Sequence, residues 1–330
     1  MSMCAAAAGL TAPPEGYIGN QFQNVAITFI VLGTLAVGLR FYARHKVLAP
    51  LGMDDIFVII ALVSNLALCA ICLSMVHWAE IGHHTLWVCM MNPMALITYA
   101  KLQIPFTIML SFAIAFAKLA ILSLFLRIFV QKGYRWATYG IMGIQVLTLV
   151  VSTIITCTVC TPISYLWEPQ LHPDGHCIDI NAFWRWGSFP QIITDVLILI
   201  LPLPILWKLH LSPKDKIGVI LTFCTGSIGL VTSIVRFVIF WRIDGQTDST
   251  WVASTLGCIS IAECGVYLLA ACLPIYRSLF LSVKSRTTTG YGSKASYGKG
   301  GSSNLELRSL TQSGKGFERL ETNEVKDNAR

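Results

Sequence analysis

The sequence predicts an all-α polytopic membrane protein, a bundle of seven transmembrane helices with the N-terminus outside. Three observations carry that expectation. Of 330 residues, 55% are hydrophobic and 12% charged, about half the charged fraction of an ordinary soluble domain. Seven apolar runs are long enough to cross a hydrocarbon core about 30 Å thick. The Lys and Arg residues divide unevenly between the two sets of connecting segments. Such a composition argues against a soluble enzyme, a nucleic-acid-binding domain and a disordered chain.

The runs cover roughly 22–42, 55–76, 104–129, 136–160, 184–207, 217–241 and 252–276. None alternates in the manner of an outer-membrane barrel strand. Residues 1–21 form an extracellular N-terminus. Met3 to Leu10 is small and apolar but lacks a charged n-region, so the first run is expected to insert as its own signal. Arg40, Arg44 and Lys46 follow it as topological charges. Asp54 and Asp55 open the second run, where they suit an N-cap and the positive end of the helix dipole.

His77, Glu80, His83 and His84 follow the second run, and His172 and His176 occupy the next outer segment. These groups could hold zinc or sense external pH. Their spacing matches no closed zinc motif, so they read as surface loop histidines and no metal site is assigned. The third run carries Lys118 and ends at Arg127. That arginine either snorkels to lipid phosphates or touches a cytoplasmic partner. The fifth run carries Asp195 and closes on Pro202 and Pro204, a hinge or a stop. Arg236 lies in the sixth run and Glu263 in the seventh.

Orientation follows from the charges. Arg40, Arg44, Lys46, Arg127, Lys132, Arg135, Lys208, Lys214, Lys216 and ten residues after Ile275 fall on one side. Lys101, Arg185 and Arg242 fall on the other, with seven acids. The positive-inside rule puts the first set in the cytoplasm. The net charge of +7 is therefore topological and predicts no nucleic-acid partner. Residues 281–330, rich in Ser, Thr, Gly and Lys, read as a disordered cytoplasmic tail.

Ionisable groups inside spans cost about 2.5–3.5 kcal/mol each at the helix centre, so they point to function. Lys118, Asp195, Arg236 and Glu263 balance in sign. Depth along the helices suggests Asp195 with Lys118 and Glu263 with Arg236. The set is either a switch between two packings or static interhelical glue.

Eleven cysteines are scattered through the chain, most of them inside the runs. Cys160 and Cys177 lie outside under this topology, where a bridge persists. It would close a 17-residue separation and stabilise the fold by roughly 3 kcal/mol. Cys89, also outside, competes as a partner.

Catalytic signatures are missing. The chain has no G-x-S-x-G, no H-E-x-x-H and no P-loop, so no catalytic residue and no cofactor is assigned. A retinal Schiff base needs a lysine in the last span, and residues 252–276 have none.

Several segments resemble the fungal rhodopsin-domain membrane proteins, which include the Pth-type GPCR-like receptors. GMDD from Gly52 to Asp55 is similar to the family's G-x-D-D. GHHTLW from Gly82 to Trp87 resembles its G-x-G-x-H-x-W. KLAILSLFLRIF from Lys118 to Phe129 resembles K-L-S-I-L-x-x-Y-x-R-I-F, with Ala120 and Phe125 as departures. Cys160, Pro162, Ser164, Trp167, Gly175 and Cys177 follow C-x-P-x-S-x-x-W…G-x-C, which favours the Cys160–Cys177 bridge. QIITD ending at Asp195, LPLP at 201–204, SIVR ending at Arg236 and LPIYR ending at Arg277 complete the series.

The resemblance covers about residues 20–280 and implies a seven-helix membrane domain at 22–280 without retinal. It implies a receptor of the plasma membrane for an unknown extracellular ligand, coupled to a heterotrimeric G protein, with the lipid bilayer as its surroundings. A transporter or channel using the same charges is the rival. A scaffold working through its tail is a third reading.

Overall fold

The computed structural model describes residues 16–47, 50–128, 131–204, 213–242 and 248–289. Residues 1–15, the segment with Lys208 and residues 290–330 lie outside that set. Residues 1–285 form one compact unit and 286–330 a second.

Helices dominate the described residues. They are α1 (Gly19–Val47), α2 (Met53–Trp78), α3 (Thr85–Met91), α4 (Pro93–Ile128), α5 (Lys132–Cys157), α6 (Ile180–Ile200), α7 (Pro213–Arg242) and α8 (Ser249–Thr289). Among the described residues, five stretches are long and apolar enough to cross a membrane: Gly19–Lys46, Met53–Trp78, Pro93–Arg127, Lys132–Cys157 and Ser249–Tyr276. Helices α6 and α7 occupy the fifth and sixth runs. Their apolar stretches among the described residues, Trp186–Ile200 and Gly226–Ile239, are shorter than a span requires.

Three boundaries differ from the sequence expectation. Helix α4 starts at Pro93 rather than near 104, because Lys101 and Pro105 break the apolar run but not the helix. Proline suits a first turn, and α4 continues through Pro105. Helix α1 extends to Val47, past the expected end at 42. Helix α8 continues through Thr289, so residues 281–289 are helical where a disordered tail was expected. Helix α6 ends at Ile200, directly before Leu201 and Pro202. Leu201 and Pro202 form a turn and Leu203 and Pro204 are again helical; the rest of the fifth run lies outside the described residues.

Local chemistry explains other ends. Gly52 caps α2 with extended backbone. After Trp78 the chain turns at Glu80 (φ 51°) and Gly82 (φ 107°), and the second is a conformation that suits glycine. Asp179 caps α6 by accepting from the Ala182 N–H at 3.1 Å.

The core lies between α1, α2, α4 and α8. Phe22, Ala26, Val58, Leu68, Ala117, Leu122, Ile261 and Leu268 are among its buried members. Small residues let the helices approach closely. A Cβ at Gly257 would overlap the Phe22 ring, and one at Gly265 the Phe29 ring. Two rings of α1 therefore seat in two gaps on one face of α8. Leu35, Val63, Leu147 and Val231 project outward and are exposed, an apolar exterior that hydrocarbon would cover.

Between α5 and α6, β1 (Cys160–Thr161) pairs antiparallel with β2 (His176–Cys177). Cys160 faces Cys177 across this ladder and the two are joined by a disulfide. Cys89 is also disulfide-bonded and is not their competitor.

Candidate functional site

The four ionisable residues expected inside the spans converge in one buried network. Lys118 of α4 is fully buried, and its Nζ lies 2.7 Å from Asp195 Oδ1 of α6. It also donates to Gln191 Oε1 at 3.0 Å and Thr194 Oγ1 at 3.2 Å. The Tyr267 ring of α8 stands 5.2 Å from the same ammonium, within cation–π reach. Tyr267 Oη donates to Asp195 Oδ1 at 2.5 Å. Glu263, one turn earlier on α8, meets Arg236 Nη1 of α7 at 2.9 Å.

The two ion pairs are not independent. Ser233 Oγ of α7 lies 2.9 Å from Asp195 Oδ2 and 2.7 Å from Glu263 Oε1. One hydroxyl therefore links them into a chain running from Lys118 through Asp195, Ser233 and Glu263 to Arg236.

Helical spacing places these groups. Gln191, Thr194 and Asp195 stand at i, i+3 and i+4, as neighbours on one face. Ser233 and Arg236 are three apart, and Glu263 and Tyr267 four apart. Gly229 completes the fit, since a Cβ there would overlap the Tyr267 phenol. Tyr267 has no place in the sequence expectation, and Gln191, Thr194 and Ser233 stand there only as letters of the QIITD and SIVR motifs, without a role. Neutral polar residues carry no insertion penalty large enough to mark them, but their i+3 and i+4 offsets from the charges were a usable signal.

A second cluster corrects the reading of Asp54 and Asp55 as helix caps, and of Arg40 and Arg44 as loop charges. Because α1 runs on to Val47, Arg40 and Arg44 stand one turn apart and face the start of α2. Arg40 is fully buried and lies 2.5 Å from Asp54 and 3.0 Å from Asp55. Arg44 pairs with both aspartates. Arg40 Nη1 also donates to the Ala271 carbonyl of α8 at 2.6 Å. In return, Tyr276 Oη of α8 donates to the Ala36 carbonyl of α1. The favourable dipole position survives beside this role, since Asp55 Oδ2 accepts from the Gly52 N–H at 3.0 Å. Arg127, at the end of α4, is exposed and has no ion-pair partner among the described residues.

A third cluster forms where α2, α3 and α8 meet. His83 stacks on Trp87 at 3.9 Å and lies against Tyr17 at 4.4 Å. His84 stacks on Trp251 at 4.1 Å, and its Nδ1 lies 2.5 Å from Asp248 Oδ2. Asp248 Oδ1 accepts from the Thr85 N–H at 2.8 Å. Burial lowers the His83 imidazole below its ordinary range, while the Glu80 carboxylate pulls the other way. His172 instead pairs with Ser164 at 2.8 Å, so the histidines do not assemble as one group. Among the described residues, no three His, Cys, Asp or Glu side chains converge as a metal site.

Helix α8 contributes to all three clusters, through Trp251, then Glu263 and Tyr267, then Ala271 and Tyr276. Such an arrangement can bind charge, hold helices in register and rearrange as a unit.

Comparison with known proteins adds the family context. A model described as the fungal rhodopsin domain matches residues 39–282. The chain is 34% identical over 297 residues to the polyenoic acids biosynthesis gene cluster protein Ba17b of Metarhizium anisopliae, covering 87% of this chain and 81% of that protein. It is 26% identical over 281 residues to the fugralins biosynthesis cluster protein 2 of Gibberella zeae, covering 80% and 69%. It is 25% identical over 266 residues to the receptor GIN3 of Arthrobotrys oligospora, covering 76% and 60%.

Proposed function

The chain belongs to the fungal rhodopsin domain family, and on that premise we propose that it is a seven-helix receptor of the plasma membrane. In this reading the N-terminus faces outside, an external cue binds there without retinal, and a heterotrimeric G protein answers in the cytoplasm. One observation carries the reading. Two buried acids and two buried bases on four helices are joined by one hydroxyl. Removing one partner of the buried Lys118–Asp195 pair costs about 3–5 kcal/mol, so the network favours discrete packings over gradual deformation. A cue acts on it by binding one packing more tightly than the other. Arg127, exposed at the basic end of α4, is the contact offered to the G protein. The relative named as a receptor supports the same class.

The test is binding of the detergent-solubilised chain to nucleotide-free Gα, with Arg127→Ala as control. Binding that the substitution abolishes is the expected result. A folded protein that binds no Gα overturns it.

A second reading is transport of a small molecule along the same buried charges; two relatives are named for biosynthesis clusters. It predicts that substrate flux, followed in cells or vesicles, is lost in Asp195→Asn.

A further inference from the structure

Ser233 has one hydroxyl hydrogen and faces two carboxyl groups. Its Oγ lies 2.9 Å from Asp195 Oδ2 and 2.7 Å from Glu263 Oε1, and both distances are those of O–H···O bonds. An ionised carboxylate only accepts, and a hydroxyl donates once. With both acids ionised, one of the two contacts sets a lone pair against an anionic oxygen. A second hydrogen removes that clash; the alternative, one hydrogen shared in a three-centre bond, is what the experiment below tests.

We infer that the Asp195–Ser233–Glu263 bridge is a proton-binding site, with the proton carried on Glu263 Oε1. Glu263 then donates to Ser233 Oγ, and Ser233 donates to Asp195 Oδ2. The proton comes from water and returns to it; one O–H bond forms on loading and the same bond breaks on release.

The surroundings choose Glu263 as the acid. Asp195 Oδ1 accepts from the Lys118 ammonium at 2.7 Å and the Tyr267 phenol at 2.5 Å, so its charge is doubly held. Among the described residues one cation pairs with Glu263: Arg236 Nη1 reaches Oε2 at 2.9 Å, while Oε1 is the oxygen that meets Ser233. Arg236 can donate to the carbonyl oxygen of a neutral acid as well as to a carboxylate. Besides Asp195, Lys118 Nζ donates to Gln191 and Thr194 and faces the Tyr267 ring. The buried, free Cys264 thiol is a further titratable neighbour, next to Glu263 on α8. A carboxylic acid kept neutral in an enclosed site so that it can donate is an established device in other proteins. The inference stands whether the chain signals or transports.

The test is infrared spectroscopy of the full-length protein in detergent at neutral pH, where exposed acids are ionised. The expected spectrum contains a protonated-carboxyl C=O band that shifts in D2O. Glu263→Gln abolishes the band yet keeps the wild-type melting temperature, because an amide can donate to Ser233 and accept from Arg236 as the neutral acid does. Asp195→Asn, which strands the Lys118 charge, lowers the melting temperature. Ser233→Ala keeps the band and moves its frequency, having lost the acceptor. No exchangeable carboxyl band in wild type overturns the inference, since that is the three-centre bond from one hydroxyl to two anions. So does a band that survives Glu263→Gln. Should the glutamine variant fail to fold, the wild-type and Ser233→Ala spectra still decide.

Discussion

Lys118 and Asp195 meet at 2.7 Å with their side chains essentially inaccessible to solvent. A buried pair of this kind is defined by what happens when one half is removed. Lys118→Met or Asp195→Asn alone is expected to cost about 3–5 kcal/mol, because each strands a charge. The double variant recovers most of that loss, since no buried charge remains. Thermal unfolding of the three variants in detergent checks this. A double variant no better than the worse single would refute the pairing.

Tyr267→Phe removes one hydrogen bond to a charged carboxylate, worth about 1.5–3 kcal/mol. Gly229→Ala attacks the same contact from the opposite helix by pushing the ring away, at about 1–3 kcal/mol. Because both act on one contact, the two losses should not add. A double-mutant cycle on melting curves measures the shortfall.

Arg40→Lys is not conservative here. A lysine cannot reach Asp54, Asp55 and the Ala271 carbonyl together, since those contacts use three separate nitrogens of a planar fork. The variant keeps the charge and should lose about 1.5–3 kcal/mol for each charged hydrogen bond it cannot remake. The measurement is the melting temperature beside that of Lys46→Ala, an exposed control that should change little.

Acid should loosen the cluster around His83. Its folded-state imidazole is held below the ordinary value of about 6.5 by burial. The unfolded chain therefore binds the proton first, and stability falls as pH drops below about 6.5. Trp87 stacks directly on this ring, so its fluorescence should change over that range. His83→Gln should remove this part of the pH dependence.

Breaking Cys160–Cys177 should cost about 2–5 kcal/mol and leave the buried networks paired. Cys160→Ser with Cys177→Ser, compared by melting temperature, tests this. Indifference to the double substitution would mean that the loop is held by its ladder and turns alone.

Much of this was legible before any coordinates. Runs of about twenty apolar residues are helices because the backbone must bond to itself where no water is present. Lys118, Asp195, Arg236 and Glu263 stood out because a charge in such a run is costly. Asp54 and Asp55 were misread because an acid at a helix start has a sufficient local explanation. Arg40 and Arg44 were misread because a basic residue at a span's end has one too. Both local explanations hid a tertiary contact.

The sequence by itself determined the helical class, the positions of the apolar runs, the charges inside them and the cysteines able to pair outside. All of these follow from transfer free energies and chain-local geometry. Only the tertiary structure decided that Ser233 joins two ion pairs, that Tyr267 fills the space above Gly229, and that Arg40 reaches α8. Those facts depend on which faces of separate helices meet. That choice is made by packing side chains such as Phe22 and Phe29 into the gaps at Gly257 and Gly265, and no single helix encodes it.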